Sequence, residues 1–248
     1  MQGPLVLTLS KDARRGQCLG RAYRAPFDTL RRVGRFSDKG LQMKLPPLAP
    51  VGNRRTLFVM AAEPEYGAQL KARFTPLMVG VGPVEAALHT GMALARLDAL
   101  GQRPDMVVSL GSAGSRRCPL GEVFQISAVS WRDIDASPLG FPRGLVPFLD
   151  EPSELPLTTP LDLPTATLST GGNVVSGDAW DGIGADMVDM ETYAVARACR
   201  HMGVPLVGLR GVSDGPGELT GAHDWHALLD HLDGKLAEAV DLLAAHHG

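Results

Sequence analysis

Residues 187–215, MVDMETYAVARACRHMGVPLVGLRGVSDG, constrain this chain more tightly than any other stretch. Met187-Val188-Asp189-Met190 is short, apolar and extended in character; Glu191 opens the helical run ETYAVARACRHMG, and Gly203 stops it. Pro205-Leu206-Val207-Gly208-Leu209 then reads as a buried strand, with Arg210, Ser213 and Asp214 where it ends. Strand, helix and strand in that order build an α/β sheet, and such sheets bind ligands at the carboxyl ends of their strands. Glu191 and Asp214 are therefore expected to face one crevice.

The rest of the chain from Thr56 onward repeats the alternation. Thr56–Ala61 and 75–80 are apolar strand candidates, and Gly80-Val81-Gly82-Pro83 makes a turn with Pro83 at a first helical position. The helix runs to Gly101, and Asp105–Leu110 is the next strand, ending in Gly111-Ser112-Ala113-Gly114. Strand candidates follow at 123–129 and 166–170, separated by a proline-rich surface excursion over 136–164. The segment from about Asp224 to His246 carries leucines at helical spacing and should close over the sheet. The pattern predicts a single three-layer α/β/α domain with a mixed, largely parallel central sheet.

Charge divides the chain unevenly. Residues 1–55 hold twelve Lys+Arg against three Asp+Glu, whereas the remainder holds twelve against twenty-four. The first segment lacks sustained periodicity and is expected to be a dispensable basic arm, a targeting peptide, or sequence upstream of a start at Met43 or Met60. A lone charge run is usually only solvated, so no nucleic-acid partner is expected. Three dispersed cysteines without a CxxC pair fit a reducing, cytoplasmic setting, and no apolar run is long enough for a membrane span.

The chemistry-bearing residues are mostly carboxylates. Glu63 and Glu65 lie just past the first strand, where either is placed to act as a general base. A partly desolvated Asp214 at its strand end is suited to hold a proton near neutral pH and give it to a leaving group. The two glycine turns suit close backbone approach to a ligand, but neither fits a dinucleotide or triphosphate fingerprint. His223-x-x-His226 with His231 lacks the further ligands of a metal site, so no metal and no cofactor are expected. Trp180 is an aromatic candidate for stacking on a flat ring.

Taken in order, Gly80–Pro83, Gly111–Gly114, Val175-Ser176-Gly177-Asp178-Ala179-Trp180, Asp189-Met190-Glu191 and Arg210–Asp214 resemble the purine nucleoside phosphorylase/uridine phosphorylase superfamily. Within it the chain looks most like the methylthioadenosine/S-adenosylhomocysteine nucleosidases, over about residues 56–245. The resemblance implies hydrolysis of an N-ribosidic bond, with Asp214 as acid at purine N7, steadied by Ser213, and Glu65 activating water. Glu191 would grip the ribose hydroxyls, Met190 would pack beneath the sugar, Trp180 would stack on the purine, and Arg210 would orient the ribose-side carboxylate. Gly82 and Gly111-Ser112-Ala113 would let backbone approach the nucleoside. A homo-oligomer, a dimer first, is implied too, with the apolar loop Pro138–Pro142 placed to reach a neighbouring subunit.

Three positions depart from that pattern. Asp189 stands where the family usually has Glu, Val79 where a serine often precedes the first glycine turn, and only fifteen residues link Glu65 to Gly80, so a hairpin is missing. Arg116, Arg132 and Arg210 are the cations available to a phosphate nucleophile, which keeps phosphorolysis open as an alternative. Futalosine hydrolysis and a non-catalytic nucleoside-binding role are the others; joint retention of Glu65, Glu191 and Asp214 argues against the last.

Overall fold

The computed structural model describes residues 44–215 and 228–248. Two short strands open it, β1 (Ala49–Val51) and β2 (Arg54–Met60), followed by a 3-10 turn (Glu63–Glu65), α1 (Ala68–Lys71) and β3 (Leu77–Met78). Then come α2 (Pro83–Ala99), β4 (Met106–Ser115), β5 (Val123–Trp131), β6 (Glu154–Pro156) and β7 (Thr165–Thr170). A 3-10 segment (Gly177–Gly182) leads to β8 (Met187–Asp189), α3 (Thr192–Met202), β9 (Leu206–Asp214) and α4 (Leu229–His246).

The sheet is mixed, as expected, but it does not stay open. β2 pairs in parallel with β3 and β4, and β4 with β9. β9 then joins β5 antiparallel, β5 joins β7 and β7 joins β8 in parallel, and β8 returns antiparallel to β4. Five strands thus close a ring, with β2, β3 and β1 extending from β4. The closure brings the ends of β4, β8 and β9 together.

Alternate residues of the central strands face opposite layers. Phe58, Met60, Val108, Leu110, Val207 and Leu209 meet Leu236, Val240 and Leu243 of α4. The other side is covered by α3, with α2 packed beside it. α2 starts at Pro83, whose fixed φ suits a first turn, and α3 ends on Gly203 in a left-handed conformation (φ 63°).

Two expectations are corrected here. The folded unit begins upstream of Thr56: β1 pairs with β2, and the intervening turn rests on the C-terminal helix, with Asn53 N donating to His247 O at 2.9 Å. Charge alone misassigned these residues, because Arg54 and Arg55 lie on an exposed strand end. A chain starting at Met60 would lose β1 and nearly all of β2. Second, Gly111–Gly114 is no turn; β4 continues through it to Ser115, paired with β9 across a register shift between Ala113 and Gly114. His223 and His226 lie outside the described residues, and His231 Nε2 is 3.1 Å from Gly121 O. No described helix is long and apolar enough to cross a membrane, and no cluster of metal-binding side chains occurs among the described residues.

Candidate active site

The ends of β2, β4, β8 and β9 enclose a cavity of about 520 Å³, lined by Glu65, Ser112, Gly114, Met190, Glu191 and Asp214 among others. Beneath it lies a second space of about 10 Å³, bordered by Glu65, Val79, Ser109, Gly111, Glu191 and Arg210. The smaller space has room for about one water molecule.

Glu65 is held by the neighbouring strand. Ser112 donates from its backbone N at 2.8 Å and its Oγ at 2.6 Å, both to Oε1. Oε2 is buried without a hydrogen-bond partner. Burial pushes the Glu65 pKa upward against those two bonds. The glycine at 111 is needed for room rather than for flexibility: a Cβ there would sit 3.3 Å from both carboxylate oxygens. Glu63, the other sequence candidate, is exposed.

Glu191 sits at the start of α3 and reaches across to the Gly80–Gly82 turn, where Gly82 N donates to Oε1 at 2.8 Å. That turn uses left-handed glycines at 80 (φ 83°) and 82 (φ 99°), which alanine would adopt only with strain. Burial, and then the charge of Asp189, raise the Glu191 pKa to about 7. Asp214 ends β9; Ser213 Oγ donates to its Oδ1 at 2.7 Å, and burial again raises the pKa. A Cβ on Gly114 would lie 2.6 Å from Asp214 Oδ2, so this glycine too makes room for a carboxylate. Met190 and Ala113 also line the cavity, as expected.

Two expected roles fail. Arg210 does not hold Glu191: its guanidinium pairs with Asp189 at 3.1 Å, both side chains almost wholly buried, and it also donates to Ser109 and Thr192. Asp189 further accepts from Thr170 Oγ1 at 2.6 Å and Thr192 N at 3.0 Å. The shorter carboxylate is thus fully used as an ion partner and as a brace for the start of α3. Trp180 does not stack in the cavity; it is 1% exposed and packed with Val175, Val188 and Ile183. The 3-10 turn points the large indole into this small core, and Val175 and Val188 line the cavity in its place.

Arg132, considered only as a phosphate ligand, proves to be a cavity wall. Its Nη1 donates to Ser169 O (2.5 Å) and Asp189 O (2.9 Å), and its Nη2 to Asn173 O (2.5 Å). It therefore ties the loop after β7 to the end of β8. Arg116 instead pairs with Asp181 at the surface. Nothing in the local pattern WRD separates Arg132 from a surface arginine; only strand order reveals its place.

Glu65, Glu191 and Asp214 thus meet at one cavity, close to the ends of β2, β8 and β9. The phosphorylase superfamily model matches residues 68–245, and the chain belongs to that family. The 5′-methylthioadenosine/S-adenosylhomocysteine nucleosidase of Baumannia cicadellinicola is 29% identical over 154 residues, 54% of this chain and 65% of the relative. The Staphylococcus aureus (strain MRSA252) enzyme of the same name is 29% identical over 156 residues, with the same coverage. The alignments thus span a little under two thirds of the relatives' length. Among solved structures, the Colwellia psychrerythraea nucleosidase in complex with adenine superposes with a TM-score of 0.65 at 21% identity, covering 82% of this chain and 97% of that one. A Helicobacter pylori futalosine hydrolase mutant gives 0.56 at 17%, covering 77% and 95%. These two likenesses establish the shared fold.

Proposed function

We propose that this protein hydrolyses the N-ribosidic bond of an adenine nucleoside, 5′-methylthioadenosine or S-adenosylhomocysteine, and releases adenine. The observation that carries the reading is Glu65: one oxygen is fixed by Ser112, and the other is free beside a space sized for one water. Glu65 takes the proton of that water as it attacks the anomeric carbon. The glycosidic bond breaks with its electron pair on the purine, and Asp214, whose pKa burial raises, supplies the proton at N7. Glu191 faces the ribose hydroxyls, and in its ionised form, which gains ground above about pH 7, its charge favours the cationic sugar that develops.

Phosphorolysis fits less well. Arg210 is consumed by Asp189, Arg132 is pinned by three carbonyls, and Val79 adds no hydroxyl to the small space. Futalosine hydrolysis remains a second reading, supported by the fold likeness. An apolar stripe on α2, with Val84 75% and Leu88 51% exposed, supports a homodimer, and the dispersed cysteines a cytoplasmic one. Residues 1–43 are read as dispensable for folding and turnover.

The test is incubation with methylthioadenosine, S-adenosylhomocysteine, inosine and futalosine, with and without phosphate. Adenine released without phosphate is the expected result. Release only with phosphate would make the enzyme a transferase, and tight binding without release would make it a binding protein.

A further inference from the structure

We infer that Asp233 of α4 is a positioning residue for Glu65. The inference rests on the proposed role of Glu65 as the base. Asp233 is 5% exposed, yet it is not part of the cavity lining. Its Oδ2 accepts from Gln69 N at 2.7 Å and its Oδ1 from Leu70 N at 3.1 Å. Those are first-turn amides of α1, whose own N-cap, Gly67, has no side chain to offer. Asp233 therefore caps α1 from another helix.

α1 needs this help. Four residues close barely one turn, far below the length at which a helix is stable alone. Only Tyr66 and Gly67 separate it from Glu65, so the placing of α1 fixes the direction from which Glu65 enters the cavity. A second tie acts at the other end of the helix, where Arg73 Nε and Nη2 reach Asp241 at 2.9 and 2.7 Å. Asp241 is half-exposed, however, whereas Asp233 is enclosed. The connection from Glu65 to Gly80 is short, and α4 supplies the support that a longer segment would carry itself.

Gly67 records the closeness of the contact. A Cβ there would fall 2.4 Å from Asp233 Cγ, although the backbone at Gly67 (φ −84°, ψ −171°) is one that alanine adopts freely. The Asp233 carboxylate is what a side chain there would meet first. α4 also begins fifteen residues after Asp214. One side chain thus ties a helix downstream of Asp214 to the turn that carries Glu65.

The test is a double-mutant cycle on methylthioadenosine turnover. Asp233→Ala and, separately, Gly67→Ala are each made in the native chain and in Glu65→Gln, with folded fraction checked by circular dichroism. A displacement of about 1 Å costs on the order of 100-fold in rate. Each variant should lower kcat by about 10- to 100-fold with KM nearly unchanged, and should add no further loss in Glu65→Gln. Asp233→Asn, which keeps one acceptor, should fall between. Equal losses in both backgrounds would reduce Asp233 to a stability role and overturn the inference, as would native kcat in the single variants. Native turnover in Glu65→Gln would instead remove Glu65 as base, a failure of the underlying reading that the other arms cannot produce.

Discussion

The two ends of the cavity solve the same electrostatic problem differently. At the sugar end, Glu65, Asp189 and Glu191 crowd around one guanidinium, which Asp189 takes; the other two are left with raised pKa values. At the base end, the described residues give Asp214 one serine hydroxyl and no cation, and burial raises its pKa. The difference matches the proposed division between acid and base. On the proposed mechanism, the two bonds from Ser112 and the nearby Arg210 favour the charged form that Glu65 needs as base. Asp214 has only the Ser213 bond to offset the burial that favours its protonated form.

The largest effects should come from breaking both ends. Asp214→Asn and Glu65→Gln are each expected to lower turnover by about 10²- to 10⁴-fold, with little change in binding. A ribosyl nitrophenyl substrate, whose leaving group departs without a proton, sharpens the contrast. It should recover much of its rate in Asp214→Asn and none in Glu65→Gln. Equal recovery in both would erase the division between the ends.

Next in size is the buried ion pair. Arg210→Met leaves Asp189 charged and unpaired, at a cost of about 3–5 kcal/mol in urea unfolding. Replacing Asp189 as well, by Asn, should restore part of that loss. No such penalty is expected at the base end, where no buried cation pairs with Asp214 among the described residues. A loss below 1 kcal/mol for Arg210→Met would show that the sugar end is not organised by this pair.

The pH dependence of stability probes the third carboxylate. Glu191 holds its proton up to about pH 7 in the folded protein, against a reference value of 4.5. Between those values the native state binds a proton that the unfolded chain has released, so stability falls as pH rises through this window. The drop is on the order of 3 kcal/mol between pH 5 and 8 for an isolated group. Glu65 and Asp214 are shifted the same way, so Glu191→Gln should flatten the slope without abolishing it. An unchanged slope would mean that Glu191 is ionised in the folded state well below pH 7.

Much of this arrangement was legible in the chain. The strand-helix-strand pattern around Glu191 and Asp214 correctly put both carboxylates on one cavity, because strand ends in α/β sheets converge. Ring closure was not legible, since it depends on β5 pairing with β9 and β8 with β4, contacts between distant segments. The partner of Arg210 was missed for the same reason: Asp189 and Glu191 are two residues apart, and only the packing of α3 decides which one meets the guanidinium. Trp180 misled because a motif position does not say which way a 3-10 turn directs an indole. Asp233 carries no local signal at all, being one acidic residue among several on an amphipathic helix.

The smallest effects test the comparison most finely, because the two ends each have a serine with the same kind of bond. Ser213 Oγ donates to Asp214 and Ser112 Oγ to Glu65. Each bond favours the charged carboxylate, so each substitution to alanine should raise the partner's pKa, by about 0.5–1 unit for a bond worth about 1 kcal/mol. The consequences for activity are opposite. Asp214 acts protonated, so Ser213→Ala moves the alkaline limb of kcat/KM upward and widens the active range. Glu65 acts ionised, so Ser112→Ala moves the acid limb upward and narrows it. Measuring both profiles on methylthioadenosine decides the matter. If the two effects are exchanged, acid and base have been assigned to the wrong ends of the cavity; if both serines shift the same limb, the two carboxylates act in the same protonation state and the division itself is wrong.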